Sequence, residues 1–210
     1  LWVLAEGVVY DSFDDNIHVI NDEDLPDNFD RYYVGIDYGT NNPCAFGLLG
    51  RSKGSYYMIK EYYYSGKNNK QKTNSEYATD LINFIDGYKI DKIFIDPSAL
   101  SFKTELRQNG ISTTDADNSV IEGIRVVSNF LNQGRLKIHN SCTNMIREFG
   151  SYIWDEKAAK KGIDKPIKEF DHLQDQLRYI LFSLHSNPET DLTKVQKGTE
   201  RFKNLRKELA

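Results

Sequence analysis

Several features that mark large classes of protein are absent from this 210-residue sequence. No apolar run approaches the roughly 18 residues that span a bilayer, and no signal-peptide pattern is present. Cysteine is scarce: Cys44 and Cys142 lie far apart, and no Cys/His cluster has the spacing of a zinc site. With 39% hydrophobic and 28% charged residues, the chain is expected to be a soluble globular protein with reduced thiols and no membrane partner.

Positive charge is missing from one part of the chain. The formal net charge is −4, but nine of the 31 acidic residues lie in residues 1–30, which contain no Lys or Arg. The rest of the sequence therefore holds 27 basic and 22 acidic side chains, a balance of +5. Such a body can attract phosphates electrostatically, although ordinary surface charge gives the same balance.

Composition and length divide the chain into three parts. An acidic arm or linker occupies residues 1–30, with one short strand at 7–10; a single domain follows at 31–186, and a charged tail covers 187–210. A domain of this size buries a substantial core. Because the sequence opens on Leu1 rather than Met, we expect it to be a piece of a longer protein.

The order of hydrophobic patterns predicts a mixed sheet flanked by helices. Apolar and aromatic runs bounded by turn residues indicate strands, and apolar positions three or four residues apart indicate helices. Three strands come first and helices then alternate with strands, which is typical of an α/β fold. The predicted strands are 32–37, 44–49, 55–64, 92–96, 111–114 and 135–139, and the predicted helices are 74–88, 98–108, 118–133, 141–159 and 170–185.

Three carboxylates stand where such a fold places reactive groups. Asp37 and Asp96 each end an apolar run, and Asp175 lies on the last helix. Reactive groups of such sheets cluster at strand ends, so Asp37 and Asp96 are neighbours if their strands pair. On its helix, Asp175 points about 160–200° away from the core stripe, together with Asp171 and Arg178.

Each acid also has an ordinary structural interpretation. Asp37, followed by Tyr-Gly-Thr, is compatible with a simple turn. Asp96 before Pro97 is compatible with a helix cap, and Asp175 with a solvated helix face. The occurrence of all three on the expected elements favours a divalent-metal site, because carboxylate oxygens are the ligands that Mg²⁺ and Mn²⁺ prefer.

Repulsion among these acids gives a testable expectation. Two carboxylates 4 Å apart repel by roughly 4 kcal/mol at an effective dielectric constant near 20. We therefore expect at least one acid to have a raised pKa when no metal is bound. The melting temperature should rise when Mn²⁺ is added.

Seven segments, taken in order, match a known family. They are Trp2–Tyr10, Gly35–Gly39, Ile95–Ser98, Asn118–Ile124, Glu148–Asp155, Lys165–Pro166 and Asp171–Tyr179. With them the chain resembles the C-terminal nuclease domain of the large terminase subunit, the DNA-packaging motor of tailed bacteriophages. The match extends from Trp2 to about Leu184, and its order and coverage are more specific than any one segment.

The resemblance implies a fold and a metal centre. The fold is ribonuclease H-like (retroviral-integrase-like), with a mixed central sheet flanked by helices. Asp37, Asp96 and Asp175 are, by resemblance, the metal-binding catalytic triad, with His172 beside it and Asp171 as an accessory residue behind the ligands. Two divalent cations, Mg²⁺ or Mn²⁺, are implied, with Asp37 bridging both, Asp96 holding one and Asp175 the other.

The implied function is that of an endonuclease that cuts concatemeric viral DNA during packaging into procapsids. In the whole protein, an ATPase domain of the same polypeptide pumps DNA through a portal protein, and the small terminase subunit is a further partner. This sequence has no Gly-x-x-x-x-Gly-Lys-Ser/Thr phosphate loop, so it is not expected to hydrolyse ATP by itself. The expected location is the host bacterial cytoplasm, not the mature virion.

Some residues have interpretations that the sequence leaves open. Lys67, Lys70 and Lys72, in one polar loop, and Arg178 are assigned to phosphates of double-stranded DNA, although solvated surface is the ordinary interpretation of loop lysines. Little sequence reading is expected, since phosphate contacts position DNA without specifying bases. Glu148 and Tyr152 are typical of the family, either for packing or for positioning.

Three other functions stay open. A docking module could grip DNA or portal while its acids bind a structural ion. A Holliday-junction resolvase of the same broad fold group would cut four-way junctions. An ATPase of the actin and Hsp70 type has a first phosphate loop similar to Gly35–Asn41, but Asp96-Pro-Ser stands where a second Asp-x-Gly loop is expected.

Overall fold

A computed structural model of the protein describes residues 7–39, 42–66 and 69–186. The predicted tail, Lys67 and the Trp2–Glu6 part of the first matching segment lie outside these residues. The strands are β1 Val19–Ile20, β2 Arg31–Asp37, β3 Cys44–Ser52, β4 Ser55–Tyr64, β5 Ile90–Ile95, β6 Thr114–Asp115 and β7 Leu136–His139. The helices are α1 Asp15–His18, α2 Asn74–Ile85, α3 Leu100–Gln108, α4 Val120–Asn132, α5 Thr143–Ser151, α6 Glu156–Ala159 and α7 His172–Ser186.

One seven-stranded sheet organises the molecule, in the order β1-β7-β4-β3-β2-β5-β6. The strands β2, β3 and β4 form an antiparallel meander, and the other neighbouring pairs are parallel. The predicted mixed sheet flanked by helices is therefore confirmed. No helix among the described residues is long and apolar enough to cross a membrane.

Helices cover both faces of the sheet, which explains why its middle strand, β3, is almost continuously buried. On one face, Ile36 and Phe46 pack in a hydrophobic cluster with residues of α2 and α3. On the other face, Tyr33 and Leu49 share a cluster with residues of α4, α5 and α7. The free thiols of Cys44 and Cys142 are buried in different clusters, and their reduced state stays a prediction.

Two paired glycines set the distance between α7 and the sheet. Gly35 of β2 lies opposite Gly47 of β3. A Cβ atom on Gly35 would lie 2.3 Å from the carbonyl oxygen of Gln176, and one on Gly47 would lie 2.3 Å from the Gln176 side chain. Any larger residue would force a shift of α7, the helix that carries Asp175.

The structure corrects two predicted elements. Residues 7–10 make only a single bridge, Val8 to Ile153, and the first strand is β1. The predicted helix 141–159 is interrupted after Ser151, because β-prone Tyr152–Trp154 is extended and Asp155 caps the separate helix α6. The boundaries of the other elements differ from prediction by a few residues, as helix ends commonly do.

The acidic N-terminal part is tied to the body of the domain. Val9, Tyr10 and Phe13 are buried in the core, and Phe13 stacks on Phe149 with ring centroids 4.2 Å apart. β1 adds a parallel strand next to β7. The proposed boundary near residue 30 stays a prediction, but the described residues before it contribute to the same core.

Candidate metal centre

Two of the predicted acids lie at the same edge of the sheet. Asp37 is the last residue of β2, and Asp96 directly follows Ile95, the last residue of β5. β2 and β5 run parallel with Ile36 opposite Ile95. The expectation that these strands pair and bring Asp37 next to Asp96 is therefore confirmed.

The third acid reaches this edge through α7. Because α7 packs across β2, β3 and β5, its first turn lies above the carboxyl ends of β2 and β5. An open cavity of about 600 Å³ there is lined by Asp37, Asp96 and Asp175. Asp171 and His172 line the same cavity. The fold thus assembles five of the predicted site residues, although their roles as metal ligands stay predictions.

Asp37 is paired with His172 inside this cavity. The Nδ1 atom of His172 lies 2.8 Å from Oδ2 of Asp37, and both side chains are mostly buried. Burial raises the pKa of Asp37 to about 6, the His172 hydrogen bond opposes this rise, and the charge of Asp175 adds to it. Burial lowers the pKa of His172, but the hydrogen bond to Asp37 and the charges of Asp37, Asp171 and Glu148 together outweigh burial and leave a net rise. The expected raised pKa is present, with burial rather than repulsion as its main cause.

Asp96 is held in its ionised form by four donors. Burial raises its pKa, but hydrogen bonds outweigh that effect and the pKa is lowered. The donors are the backbone N–H of Ser98 at 2.7 Å, the hydroxyl of Ser98, the amide of Asn118 at 3.0 Å and the hydroxyl of Tyr179 at 3.2 Å. Asp96 therefore supplies a fixed negative charge at the edge of the sheet.

Asp175 is held by Arg178, which corrects the predicted role of this arginine. Arg178 is only 2% exposed, and its Nη2 donates to Oδ1 of Asp175 at 2.8 Å. Its Nη1 donates to the carbonyl oxygens of Asn118 and Ser119. In this position its guanidinium supports an acid of the cavity and does not face a DNA phosphate in solvent.

The segment Asn118–Gly123 links two of the acids, a role that the sequence did not reveal. The side chain of Asn118 binds Asp96 and its carbonyl oxygen binds Arg178. Gly123 of α4 leaves room for that arginine, because a Cβ there would lie 2.5 Å from Cγ of Arg178. The match of this segment to the family was the available signal, but its contacts depend on distant parts of the chain.

Glu148 fixes the start of α7. It is buried, and its Oε2 accepts hydrogen bonds from the N–H groups of Leu173 at 2.8 Å and Gln174 at 3.2 Å. Burial raises the pKa of Glu148 to about 8, with these two bonds opposing the rise. Of the two interpretations left open, positioning fits Glu148, whereas Tyr152 is buried and its ring lies against that of Tyr10.

Of the loop lysines assigned to phosphate, the two that the structure describes, Lys70 and Lys72, lie outside the cavity lining. Lys72 forms an ion pair with Asp80 and lies 4.3 Å above the ring of Tyr64. Lys70 is exposed, and its carbonyl oxygen accepts a bond from the Tyr64 hydroxyl. Their contact with DNA stays a prediction, and the lysine that does line the cavity is Lys168.

The donor atoms at this edge suit a hard divalent cation. Asp37, Asp96 and Asp175 offer only carboxylate oxygens, the preferred ligands of Mg²⁺ and Mn²⁺. As the side chains now stand, however, no three His, Cys, Asp or Glu side chains among the described residues are grouped to hold an ion. Each acid accepts a hydrogen bond from a protein partner. The chemistry of the donor set fits such a cation.

Known proteins similar to this chain are large terminase subunits of bacteriophages. No family model matches the sequence. The large terminase subunit of Escherichia phage T5 is 29% identical over 190 residues, covering 85% of this chain and 42% of that protein. The large terminase of the thermophilic bacteriophage D6E, solved in complex with ATP-gamma-S, is 46% identical with a TM-score of 0.81, covering 88% of this chain and 47% of that one.

Two separately solved nuclease domains match from end to end. The P22 large terminase nuclease domain has a TM-score of 0.69 at 20% identity, covering 88% of this chain and 95% of that domain. The large terminase nuclease of phage G20c with bound magnesium has a TM-score of 0.61 at 14% identity, covering 83% and 96%. At such identities these two matches establish the fold alone.

Both the fold and the sequence of this chain are similar to those of large terminase nuclease domains. The seven-stranded mixed sheet with its flanking helices is the ribonuclease H-like fold of terminase nuclease domains. The resemblance to the nuclease domain of the large terminase subunit, predicted from the seven segments, is confirmed. The chain spans about half the length of the T5 and D6E proteins.

Proposed function

We propose that this chain is a metal-dependent DNA endonuclease that cuts concatemeric viral DNA during genome packaging. One observation carries the proposal: Asp37, Asp96 and Asp175, from three separate elements, line one cavity at the carboxyl ends of β2 and β5. The chain that carries these three acids is 46% identical, over 88% of its length, to the D6E large terminase. The G20c nuclease, which shares the fold, has been solved with bound magnesium and with bound cobalt.

Two divalent cations, Mg²⁺ or Mn²⁺, would be held by Asp37, Asp96 and Asp175. When bound, they would neutralise charge at the phosphate and acidify the water that attacks it. The residues of the chain itself set where this happens. Four donors fix Asp96, and Arg178 fixes Asp175.

His172 opposes the effect of burial on the pKa of Asp37. Without metal, the proton shared between Nδ1 of His172 and Oδ2 of Asp37 compensates for a carboxylate that is removed from water. With a cation held by Asp37, its carboxylate would depend less on His172. His172 would then be free to hold a proton near the cleaved bond, as general acid–base groups of such sites do.

The wider assignments extend this proposal to the whole protein. In the whole protein we expect an ATPase domain on the same polypeptide, double-stranded DNA as substrate, and the small terminase subunit and portal protein as partners. The protein would act in the host bacterial cytoplasm. A non-catalytic docking module, whose acids would bind only a structural ion, is the second candidate.

Nicking of supercoiled plasmid separates these candidates. The wild-type chain is assayed with Mn²⁺, Mg²⁺, Ca²⁺ or EDTA, beside Asp37→Asn and the matched control Asp86→Asn, an exposed acid at the end of α2. Nicking with Mn²⁺ or Mg²⁺ that EDTA and Asp37→Asn abolish, and that Asp86→Asn retains, supports the nuclease. Plasmid binding without nicking under every metal supports the docking module.

A further inference from the structure

Phe170 is an aromatic residue whose position folding does not explain. It is 55% exposed, so little of its ring contributes to the core. Its backbone has φ 55°, a left-handed conformation that bulky residues rarely adopt. The other described non-glycine residue with positive φ, Lys53, lies in the tight turn between β3 and β4 and precedes Gly54, where such a conformation is ordinary.

The backbone around Phe170 is fixed on both sides. Before it, the N–H of Ile167 donates to the carbonyl oxygen of Ile153 at 2.9 Å. After it, the carbonyl oxygen of Asp171 accepts the N–H of Asp175 at 2.7 Å, and Glu148 accepts the N–H groups of Leu173 and Gln174. Residues Lys168–Phe170, here called the rim segment, therefore cross between two anchored points, and all three are exposed. An Asn or Gly would suit this backbone better than Phe does.

The rim segment lies at the mouth of the candidate metal centre. Lys168, Glu169 and Phe170 all line the cavity that contains Asp37, Asp96 and Asp175. The rim thus places an ammonium group and a flat apolar ring beside a cluster of carboxylates. A strand of nucleic acid matches this combination, since it presents phosphates to a cation and flat bases to a ring.

We infer that Phe170 stacks on a nucleobase next to the phosphate to be cut, with Lys168 contacting an adjacent phosphate. This inference rests on the proposed nuclease function. In a regular duplex both faces of a base are covered by its neighbours, so the ring can stack only where a base is unpaired or a base step is opened. The site would therefore act on a strand that is locally unstacked from its partner.

Substitutions at Phe170 separate stacking from bulk and backbone effects. Phe170→Trp keeps a flat ring, and Phe170→Leu keeps an apolar side chain without a ring face. Phe170→Gly removes the side chain and suits the positive φ. Ile82→Ala, at an exposed position of α2 that is 42% accessible, is the matched control.

The probes are labelled DNA duplexes with and without a short unpaired bubble. Cleavage is measured with Mn²⁺, and affinity is measured by fluorescence anisotropy in EDTA. On bubble DNA, we expect Phe170→Leu and Phe170→Gly to lose about 5- to 150-fold in both cleavage rate and affinity. This is the range for one base–aromatic stack. Phe170→Trp and Ile82→Ala should bind and cut DNA as the wild type does. Phe170→Gly should have a higher melting temperature than the wild type but a lower cleavage rate.

The outcomes distinguish this inference from the proposed function. Bubble DNA bound and cut equally well by wild type, Phe170→Leu and Phe170→Gly would overturn the stacking role. If the wild type cuts neither duplex, the nuclease proposal fails, and the anisotropy comparison in EDTA still decides whether Phe170 contacts a base. A Mn²⁺-induced rise in melting temperature that is the same in all variants excludes damage to the metal centre.

The contribution of Lys168 has a different signature. Lys168→Ala should weaken binding to paired and bubble DNA by the same factor, and should reduce the slope of log affinity against log salt by about one. Lys89→Ala, an exposed lysine away from the cavity lining, is the control. An unchanged salt slope in Lys168→Ala would remove the phosphate contact from the inference and leave the stacking role to Phe170 alone.

Discussion

The two faces of the central sheet are built from different chemistry. Every buried residue of α2 and α3 is hydrophobic, whereas four of the ten buried residues of α7 are polar or charged. These four are Gln174, Gln176, Arg178 and Ser183. The first face obeys the simple rule of an apolar core. The second carries buried polar groups, which are costly unless they are paired, and it is the face that holds the candidate metal centre.

Substitutions on the two faces should therefore have different consequences for stability and for metal binding. On the face of α2 and α3, a substitution should be felt as lost packing. On the face of α7, one set of polar groups is bonded between elements: Glu148 caps the helix, Arg178 holds Asp175, and Asn118 joins Arg178 to Asp96. Substitutions in this set should lower both the free energy of unfolding and the affinity for metal.

The largest effect is expected at Arg178. Arg178→Ala leaves Asp175 without its ion-pair partner in a mostly buried place, and breaking such a pair costs about 3–5 kcal/mol. Urea unfolding should show the loss directly. Arg125→Ala, at an exposed position of α4, is the control and should change stability by no more than about 0.5 kcal/mol. Equal stability of the two variants would show that the Arg178 network contributes little.

Metal addition should have the next largest effect. A ligand that binds only the folded state stabilises it by about 2.7 kcal/mol at one hundred times its dissociation constant. Mn²⁺ should therefore raise the melting temperature of the wild type and of Asp86→Asn, but much less that of Asp37→Asn. Differential scanning calorimetry measures this, and an identical rise in all three proteins would place the binding site elsewhere.

The paired glycines offer a sharper test of how α7 is seated. Gly35→Ala and Gly47→Ala should each cost about 1–3 kcal/mol, because the new methyl group meets Gln176. The contact at Gly47 is with the Gln176 side chain, whereas the nearest atom at Gly35 is the Gln176 backbone oxygen. Gln176→Ala should therefore rescue Gly47→Ala in chemical unfolding but not Gly35→Ala. Rescue of both, or of neither, would contradict the described contacts.

A further expected effect, spread over several pH units, is a dependence of stability on pH. The folded-state pKa values of Asp37, about 6, and Glu148, about 8, lie above their ordinary values near 4. Between those limits the folded protein binds more protons than the unfolded chain, so without metal the free energy of unfolding should fall as pH rises from about 4 to about 8. Glu148→Gln should flatten the fall at the upper end, and Asp37→Asn at the lower end. Urea titrations at several pH values in EDTA test this, and a Glu148→Gln slope equal to that of the wild type would exclude Glu148 as a cause.

Much of the fold could be predicted because its signals are local. The strands β2, β3, β4 and β5 are apolar or aromatic runs, and an acid at the end of such a run lies at the sheet edge whatever surrounds it. The positions of Asp37 and Asp96 could be predicted for this reason. Asp175 could be singled out because it lies opposite the core stripe of its helix.

The missed features depend on contacts between distant residues. Arg178 shares a helix face with Asp175, and helical spacing alone assigns that face to solvent. In the structure α4 covers it, and Gly123 provides the space for the arginine. The break after Ser151 likewise reflects bridges from Ile153 to Val8 and from Trp154 to Pro166, which no local pattern displays.

The central claim is that Asp37, Asp96 and Asp175 bind the divalent cations of a nuclease. Anomalous diffraction from crystals soaked in Mn²⁺ tests it most directly. The account predicts anomalous peaks in the cavity at the carboxyl ends of β2 and β5, within about 2.0–2.5 Å of carboxylate oxygens from these three residues. Full-occupancy peaks only at other surface acids, or none at saturating Mn²⁺, would contradict it.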